Sequence, residues 1–263
     1  SLYELIFRNA IINDADFTEF HRKFFNTDIS EPSANKLFVS FVQGFVNSVR
    51  MTEFGLALNV HLKTGCILSR TCSTLIELVA GILNTRENAL DMGLFGFGNL
   101  NKVNRIIRHL KVATIYSNKT NKYMIDRLEM RTPSEVIFNY KGKQISITDY
   151  FLEQYGIQLS EALPVVKSTR KGAALPLEFC RLEPTQFMSK SRLDLDIERE
   201  VLQKSTHMPN DYFHKAGSIV DRIQERSRRK LLSQFGITLE TRPARISGRV
   251  LPTPEVTNAR DRF

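Results

Sequence analysis

Two tyrosines stand five residues apart in Ser146-Ile-Thr-Asp-Tyr150-Phe-Leu-Glu-Gln-Tyr155-Gly156. The segment reads as a short helix over 149–155 that closes on Gly156, a residue suited to the left-handed C-terminal cap. A basic loop, Lys167-Ser-Thr-Arg170-Lys171-Gly172, follows. Phenol hydroxyls donate hydrogen bonds and ammonium groups add charge, so together they suit a phosphodiester held without reading its base. A strict helix turns Tyr150 and Tyr155 about 140° apart. Periodicity alone therefore does not pair them.

The elements that must position these groups are strands. Val112, Thr114 and Tyr116 alternate with Ala113 and Ile115; Ser117–Asn121 is a polar turn, and Lys122-Tyr-Met-Ile125 returns. Val136–Tyr140 and Gln144–Ile147 flank Lys141-Gly-Lys, a hairpin whose glycine supplies positive φ. Leu175–Leu182 reads as a last short buried strand. Several short strands with one inserted helix predict a small, partly open barrel of the oligonucleotide-binding kind.

Upstream, Phe17, Phe20 and Phe24 follow helical spacing and predict a packed helix. Residues 28–35 predict a loop, and 37–49 a strand bulged at Gly44. Phe54, Leu56, Leu58, Val60 and Leu62 alternate with Gly55, Ala57, Asn59 and His61, a strand with one buried face that ends at Lys63-Thr-Gly65. Thr74-Leu-Ile-Glu77 is a capping box opening an apolar helical stripe. Gly93, Gly96 and Gly98 predict a turn-rich loop; their order lacks both the Walker and the Rossmann pattern. Beyond Pro184 the chain turns helical. A charged run occupies 194–204, Met208-Pro-Asn-Asp makes a break, and stripes follow at Ile219, Val220, Ile223 and at Leu231, Leu232, Phe235, the last ended by Gly236. Arg226-Ser-Arg-Arg-Lys230 between them reads as a solvated face.

Composition narrows the function. The 263 residues are 42% apolar, enough for real cores, and carry a net charge of +9, which favours an anionic partner. No apolar run approaches the roughly 18 residues that span a bilayer, so no membrane partner is expected. Ser1-Leu-Tyr-Glu has neither signal-peptide features nor an initiating methionine, and the chain reads as a segment of a longer protein. Cys66, Cys72 and Cys180 show no paired spacing, which points to a reducing compartment, with Cys180 a small core residue. The histidines and cysteines lack metal spacing, and Asp194 and Asp196 sit in a charged run without further ligands. No metal, cofactor or catalytic set is expected.

Four ordered pieces resemble Argonaute proteins: Val46-Asn-Ser-Val-Arg50 with Gly55–His61; Leu110–Cys180; Gln234-Phe-Gly-Ile237; and Ser247-Gly-Arg-Val-Leu-Pro-Thr-Pro254. The second resembles the PAZ domain, which holds the 3′ end of a guide RNA. Dicer also carries a PAZ domain, but the flanking pieces are of the Argonaute kind. The resemblance implies an α+β chain: a small OB-like PAZ barrel with an inserted αβ element, flanked by mixed α/β linkers. The implied divisions are the end of the N domain (1–35), a first linker (36–72), PAZ (73–184) and a second linker (185–263).

It also implies roles. Tyr150 and Tyr155 match tyrosines gripping the terminal phosphodiester, and Tyr123 a third. Phe138 matches an aromatic against the last nucleotide, Lys171 a lysine near the backbone, and Leu175 a lining residue of the terminal sugar pocket. Tyr116 stands where the family usually has a phosphate-binding histidine, Asn121 in a usual arginine place and Gln154 in a usual lysine place. These departures imply a less electrostatic grip, with Lys119, Lys122 or Arg170 as compensating cations. The implied partners are a single-stranded small RNA and the MID and PIWI domains of the parent chain. The implied setting is RNA-mediated gene silencing in the cytoplasm, or in the nucleus or granules. The alternative is a protein-interaction scaffold whose PAZ-like fold no longer holds RNA.

Overall fold

The computed structural model describes residues 2–14, 17–53, 55–116, 120–169, 172–189, 192–227, 231–245 and 247–252. Lys119, Arg170, Lys171, Phe54, most of the 226–230 basic run and the end of the 247–254 motif lie outside the described residues or have undescribed side chains.

The chain opens with helix α1 (Leu2–Asp14), which buries Ile6, Phe7, Ala10 and Ile11. Strands β1 (Thr18–Phe20) and β2 (Lys23–Pro32) follow as a hairpin. This corrects the helix expected from Phe17, Phe20 and Phe24, and the first part of the loop expected over 28–35, since β2 runs on to Pro32 and only 33–35 are non-regular. The connecting pair His21 and Arg22 adopts φ of 50° and 59°, the two left-handed residues of a tight hairpin turn. The phenylalanines therefore divide between two sheet faces. Phe17 and Phe24 pack on Phe45, whereas Phe20 and Phe25 pack on Phe187.

Strands β3 (Val39–Thr52) and β4 (Gly55–Leu68) form a long antiparallel ribbon in unbroken register. The ribbon continues past the expected end at Gly65, because β12 (Phe187–Met188) pairs with Ile67 and Cys66. The expected bulge at Gly44 falls instead in β2, where the register shifts between Phe25 and Ser30. Gly44 has a different task. A Cβ there would lie 2.2 Å from the Phe24 carbonyl oxygen, so only glycine lets β2 cross so closely. The sheet order is β1-β2-β3-β4-β12.

Helix α2 (Leu75–Leu83) begins at the expected capping box, Thr74 and Glu77 satisfying each other's backbone N–H. The glycine-rich stretch is not a long loop. Two short 3-10 turns lead to Gly96, which caps helix α3 (Phe97–Ile107). Val103, Ile106 and Ile107 bury one face of α3, and Asn104 holds β6 through the backbone N–H and C=O of Leu128.

The second sheet contains β5 (Lys111–Thr114), β6 (Lys122–Glu129), β9 (Val165–Ser168), β10 (Ala174–Pro176) and β11 (Cys180–Leu182). Its order is β10-β9-β6-β5-β11, all antiparallel. The single strand expected over 175–182 is split by a 3-10 turn, Leu177–Phe179. Pro176 has no N–H with which to continue the ladder. Between β6 and β9 the chain inserts hairpin β7 (Ile137–Tyr140) and β8 (Lys143–Ser146), then helix α4 (Ile147–Tyr155). Lys141 and Gly142 make the turn at φ of 51° and 85°, and Gly156 closes α4 at φ 66°.

The charged run forms α5 (Leu195–Ser205), which buries Ile197 and Val201. The expected break at 208 is the start of α6 (Pro209–Ser227), with proline in the first turn. Helix α7 (Leu231–Gln234) follows. The main core joins both sheets: Phe38, Val39 and Phe41 of the ribbon pack with α2, α3, α5 and the inside of the barrel. A second cluster gathers α1, α6, α7 and the opposite face of the ribbon around Phe24 and Phe45. Asp194 and Asp196 hold arginines, Arg105 and Arg199, and among the described residues no metal-like group of acids, histidines and cysteines is found.

Candidate nucleic-acid interface

The inserted hairpin and α4 lie against the barrel through a third cluster. Its buried residues are Ile147, Phe151, Leu159 and Val165. Tyr116, Phe138, Tyr150 and Phe179 are half-buried around them. Phe151 sits on the inner face of α4 and stacks on Phe179 at 5.9 Å between centroids. Tyr116, just beyond β5, meets Phe151 edge-on at 4.7 Å and Tyr155 at 5.1 Å. Phe138 and Tyr140, two apart on one face of β7, flank Tyr150 at 5.3 and 4.9 Å. Such edge-to-face pairs each stabilise by about 0.5–1.5 kcal/mol beyond area burial.

Tyr150 and Tyr155 converge in spite of their helical spacing. Their hydroxyl oxygens are 3.5 Å apart and their rings 5.9 Å. Helical side chains lean toward the N-terminus, and Tyr155 is the last residue of α4, so its ring is free to fold back along the helix. Tyr155 remains 37% exposed, which leaves the phenol edge open to solvent. Tyr116 is kept protonated to about pH 12, chiefly by burial, with Tyr123 as a close polar neighbour. Tyr150 is also raised well above an ordinary phenol, first by its hydrogen bond to Tyr155 and then by burial. At neutral pH the cluster is therefore a set of uncharged O–H donors.

The other sequence-predicted residues fall in several places. Tyr123 packs on the main core and reaches the cluster through Tyr116. Leu175 is only 4% exposed, on β10 inside the main core, and its neighbour Ala174 packs on the aromatic cluster. The Lys122 ammonium pairs with Glu183 at 2.9 Å. Gln154 accepts a hydrogen bond from the Tyr140 hydroxyl at 3.1 Å. Lys167, at the head of the basic loop, pairs with Glu129 at 3.1 Å. Burial works against the ionised Glu129, yet hydrogen bonds from Arg131 and Lys167 hold its pKa below the usual range.

Sequence reasoning passed over Tyr140, Phe151 and Phe179. Tyr140 carried a usable signal, since it shares the strand face of Phe138. Lys141 also lies 5.0 Å over the Tyr140 ring, which brings a positive charge to the hairpin tip. Phe151 and Phe179 had no signal beyond apolarity.

A nearly closed five-stranded sheet, with a hairpin and helix inserted to one side, defines an OB-like fold within an α+β chain. Residues 82–202 match the family model described as "PAZ domain". Among curated proteins, argonaute 5 of Arabidopsis thaliana is 25% identical over 248 residues, covering 91% of this chain and 24% of that protein. Argonaute 1D of Oryza sativa subsp. japonica is 26% identical over 250 residues, covering 92% and 23%. Among solved structures, Kluyveromyces polysporus Argonaute with a guide RNA aligns at a TM-score of 0.49 and 15% identity, over 85% of this chain and 26% of that one. The chain is thus similar to Argonaute proteins over about nine-tenths of its length, with a PAZ-domain match within it. It spans about a quarter of the length of the curated relatives it matches.

Proposed function

We propose that this chain holds the 3′ end of a single-stranded small guide RNA at the seam between the barrel and the β7–β8–α4 insertion. The observation that carries the reading is the convergence of Tyr116, Tyr150 and Tyr155 on the Phe151 ring, with the last two hydroxyls 3.5 Å apart. Three uncharged donors grouped at a partly exposed edge suit the oxygens of one phosphodiester. Each hydrogen bond to a charged phosphate contributes about 1.5–3 kcal/mol. An unpaired end can splay its last base onto an aromatic ring, for about 1–3 kcal/mol more. Phe138 and Tyr140 supply such rings beside Tyr150. Tyr123 supports Tyr116, Leu175 backs the site from the barrel core, and Lys171 with Arg170 and Lys119, outside the described residues, would add positive charge.

Contacts of this kind position the strand and carry no base identity. They bind without breaking bonds, so this segment acts as an anchor. Cleavage, silencing activity, MID and PIWI neighbours and a cytoplasmic setting belong to the proposed parent protein. The pairing of Lys122 with Glu183 and of Gln154 with Tyr140 favours a weaker electrostatic grip, and at its limit the scaffold reading.

Fluorescence anisotropy with single-stranded RNA bearing free or blocked 3′ ends separates the two. Tighter binding of the free end is expected. Tyr150→Phe with Tyr155→Phe removes both hydroxyls and keeps the rings, and is expected to weaken binding at least about tenfold. Wild-type affinity in that double variant would remove the phenols from the site. No RNA binding by a folded wild-type chain would leave the scaffold.

A further inference from the structure

At the other end of β5 lies a groove of about 470 Å³, between the β1–β2 hairpin and the segment that links β11 to β12. Its lining carries four basic side chains: His21, His109, Lys111 and Arg192. Two carboxylates also line it, and both are already engaged from outside. Glu19 is held by Arg8 at 2.8 Å, and Glu183 by Lys122 at 2.9 Å. Arg192 has no carboxylate partner among the described residues. It is half-buried, and both burial and the nearby positive charge of Arg108 depress its pKa. A partly buried guanidinium next to another cation is unfavourable unless an anion joins it. The groove is also built firmly. Phe20 and Phe187 stack at 4.4 Å on one wall. The Gln186 amide is spent on the backbone of Lys111 and Glu183, and Lys111 is exposed. His21, His109 and Thr185 all line it in the left-handed region, at φ of 50°, 63° and 55°. Such conformations persist only where surrounding structure enforces them.

We propose that this groove binds a phosphoryl anion through Arg192 and Lys111, with His21 and His109 at its rim. Two sources share that chemistry: a backbone phosphodiester of a bound RNA strand, and free phosphate or pyrophosphate. The geometry favours the strand. Lys111 and Tyr116 are five residues apart along β5 and its extension, so their Cα atoms are separated by at most about 17 Å, a span of a few nucleotides. A strand anchored at its 3′ end on the phenols can therefore lay an interior phosphate in the groove. The assignment of the strand rests on the function proposed above; the assignment of the groove does not.

The test uses the whole chain, RNAs of about four and about sixteen nucleotides, the span of OB-fold site sizes, and inorganic pyrophosphate. Pyrophosphate is expected to shift the ring signals of His21 and His109 in NMR spectra, and Arg192→Gln to abolish the shift. Arg192→Gln is expected to weaken the longer RNA about five- to tenfold and lower its salt slope by about one, leaving the shorter RNA unchanged. Unchanged binding of the shorter RNA also shows that the variant is folded. Lys111→Gln, whose backbone bonds to Gln186 remain, is expected to act in the same direction. Pyrophosphate binding without a length-dependent effect would assign the groove to free phosphate. If neither probe distinguishes Arg192→Gln from wild type, the site does not exist. Loss of the longer RNA's extra affinity alone implicates the groove, whereas loss of both RNAs in the Tyr150/Tyr155 variant implicates the phenols.

Discussion

The two proposed anion sites, at the two ends of β5, differ in their chemistry. At one end, Tyr116, Tyr150 and Tyr155 present hydroxyls, and burial and neighbouring phenols hold the protons of Tyr116 and Tyr150 on. At the other, Arg192 and Lys111 present charges in a groove whose two carboxylates, Glu19 and Glu183, are paired with Arg8 and Lys122. Neutral donors depend on geometry and lose little to salt. Cations act over a Debye length and are screened by it. A chain that uses both holds one phosphate by fit and another by charge. Its overall salt dependence should then reflect mainly the second.

Removing the platform under the phenols is the largest disturbance available. Phe151 is 4% exposed and touches Tyr116, Tyr150, Tyr155 and Phe179. Phe151→Ala is expected to destabilise the chain by about 3–5 kcal/mol in denaturant unfolding. It should abolish binding of the shorter RNA while the groove still takes pyrophosphate. If both sites fail together, they are not independent.

The groove can be disturbed from its own side. Gly44→Ala would press a methyl group onto the Phe24 carbonyl, which does not yield as a side-chain tip would. A loss of about 1–3 kcal/mol is expected. Displacement of the β1–β2 hairpin should weaken pyrophosphate binding and spare the phenols.

The smallest effect concerns protons. The Tyr116 pKa is raised from 10 to about 12 in the fold. Its contribution to stability is complete below about pH 10 and is lost as pH rises toward 12, because the unfolded chain ionises first. Thermal melts across that window should fall more steeply for wild type than for Tyr116→Phe. Equal slopes would mean that this phenol is not shielded.

Much of the scaffold could be read from residues alone, wherever a local rule has one outcome. Thr74 and Glu77 start α2, Gly142 turns β7 into β8, and Gly156 ends α4. The alternation from Leu56 to Leu62 is a strand in β4. Rules with two outcomes failed. Phenylalanines three and four apart fit a helix face, and equally the two faces of a hairpin. The usual hairpin signal, glycine or asparagine at the turn, is missing because His21 and Arg22 take the left-handed positions. Gly98 hid the first turn of α3, although Val103, Ile106 and Ile107 already marked its buried face. At the candidate interface, similarity singled out Tyr150 and Tyr155, which helical geometry alone would have separated. The groove left no trace in sequence, since its basic residues come from segments as distant as His21 and Arg192.

The 3.5 Å contact between the Tyr150 and Tyr155 oxygens has a consequence for the empty protein. One hydroxyl donates to the other, so a single proton of the pair is engaged within the protein and the second stays available to an acceptor. An arriving strand end must part the couple to use both protons. A ligand offering a single weak acceptor gains nothing by doing so, whereas a phosphate, with two charged oxygens, can engage both hydroxyls at once. On the proposed function, the pair would then favour anions that accept from both hydroxyls over ligands that accept from one.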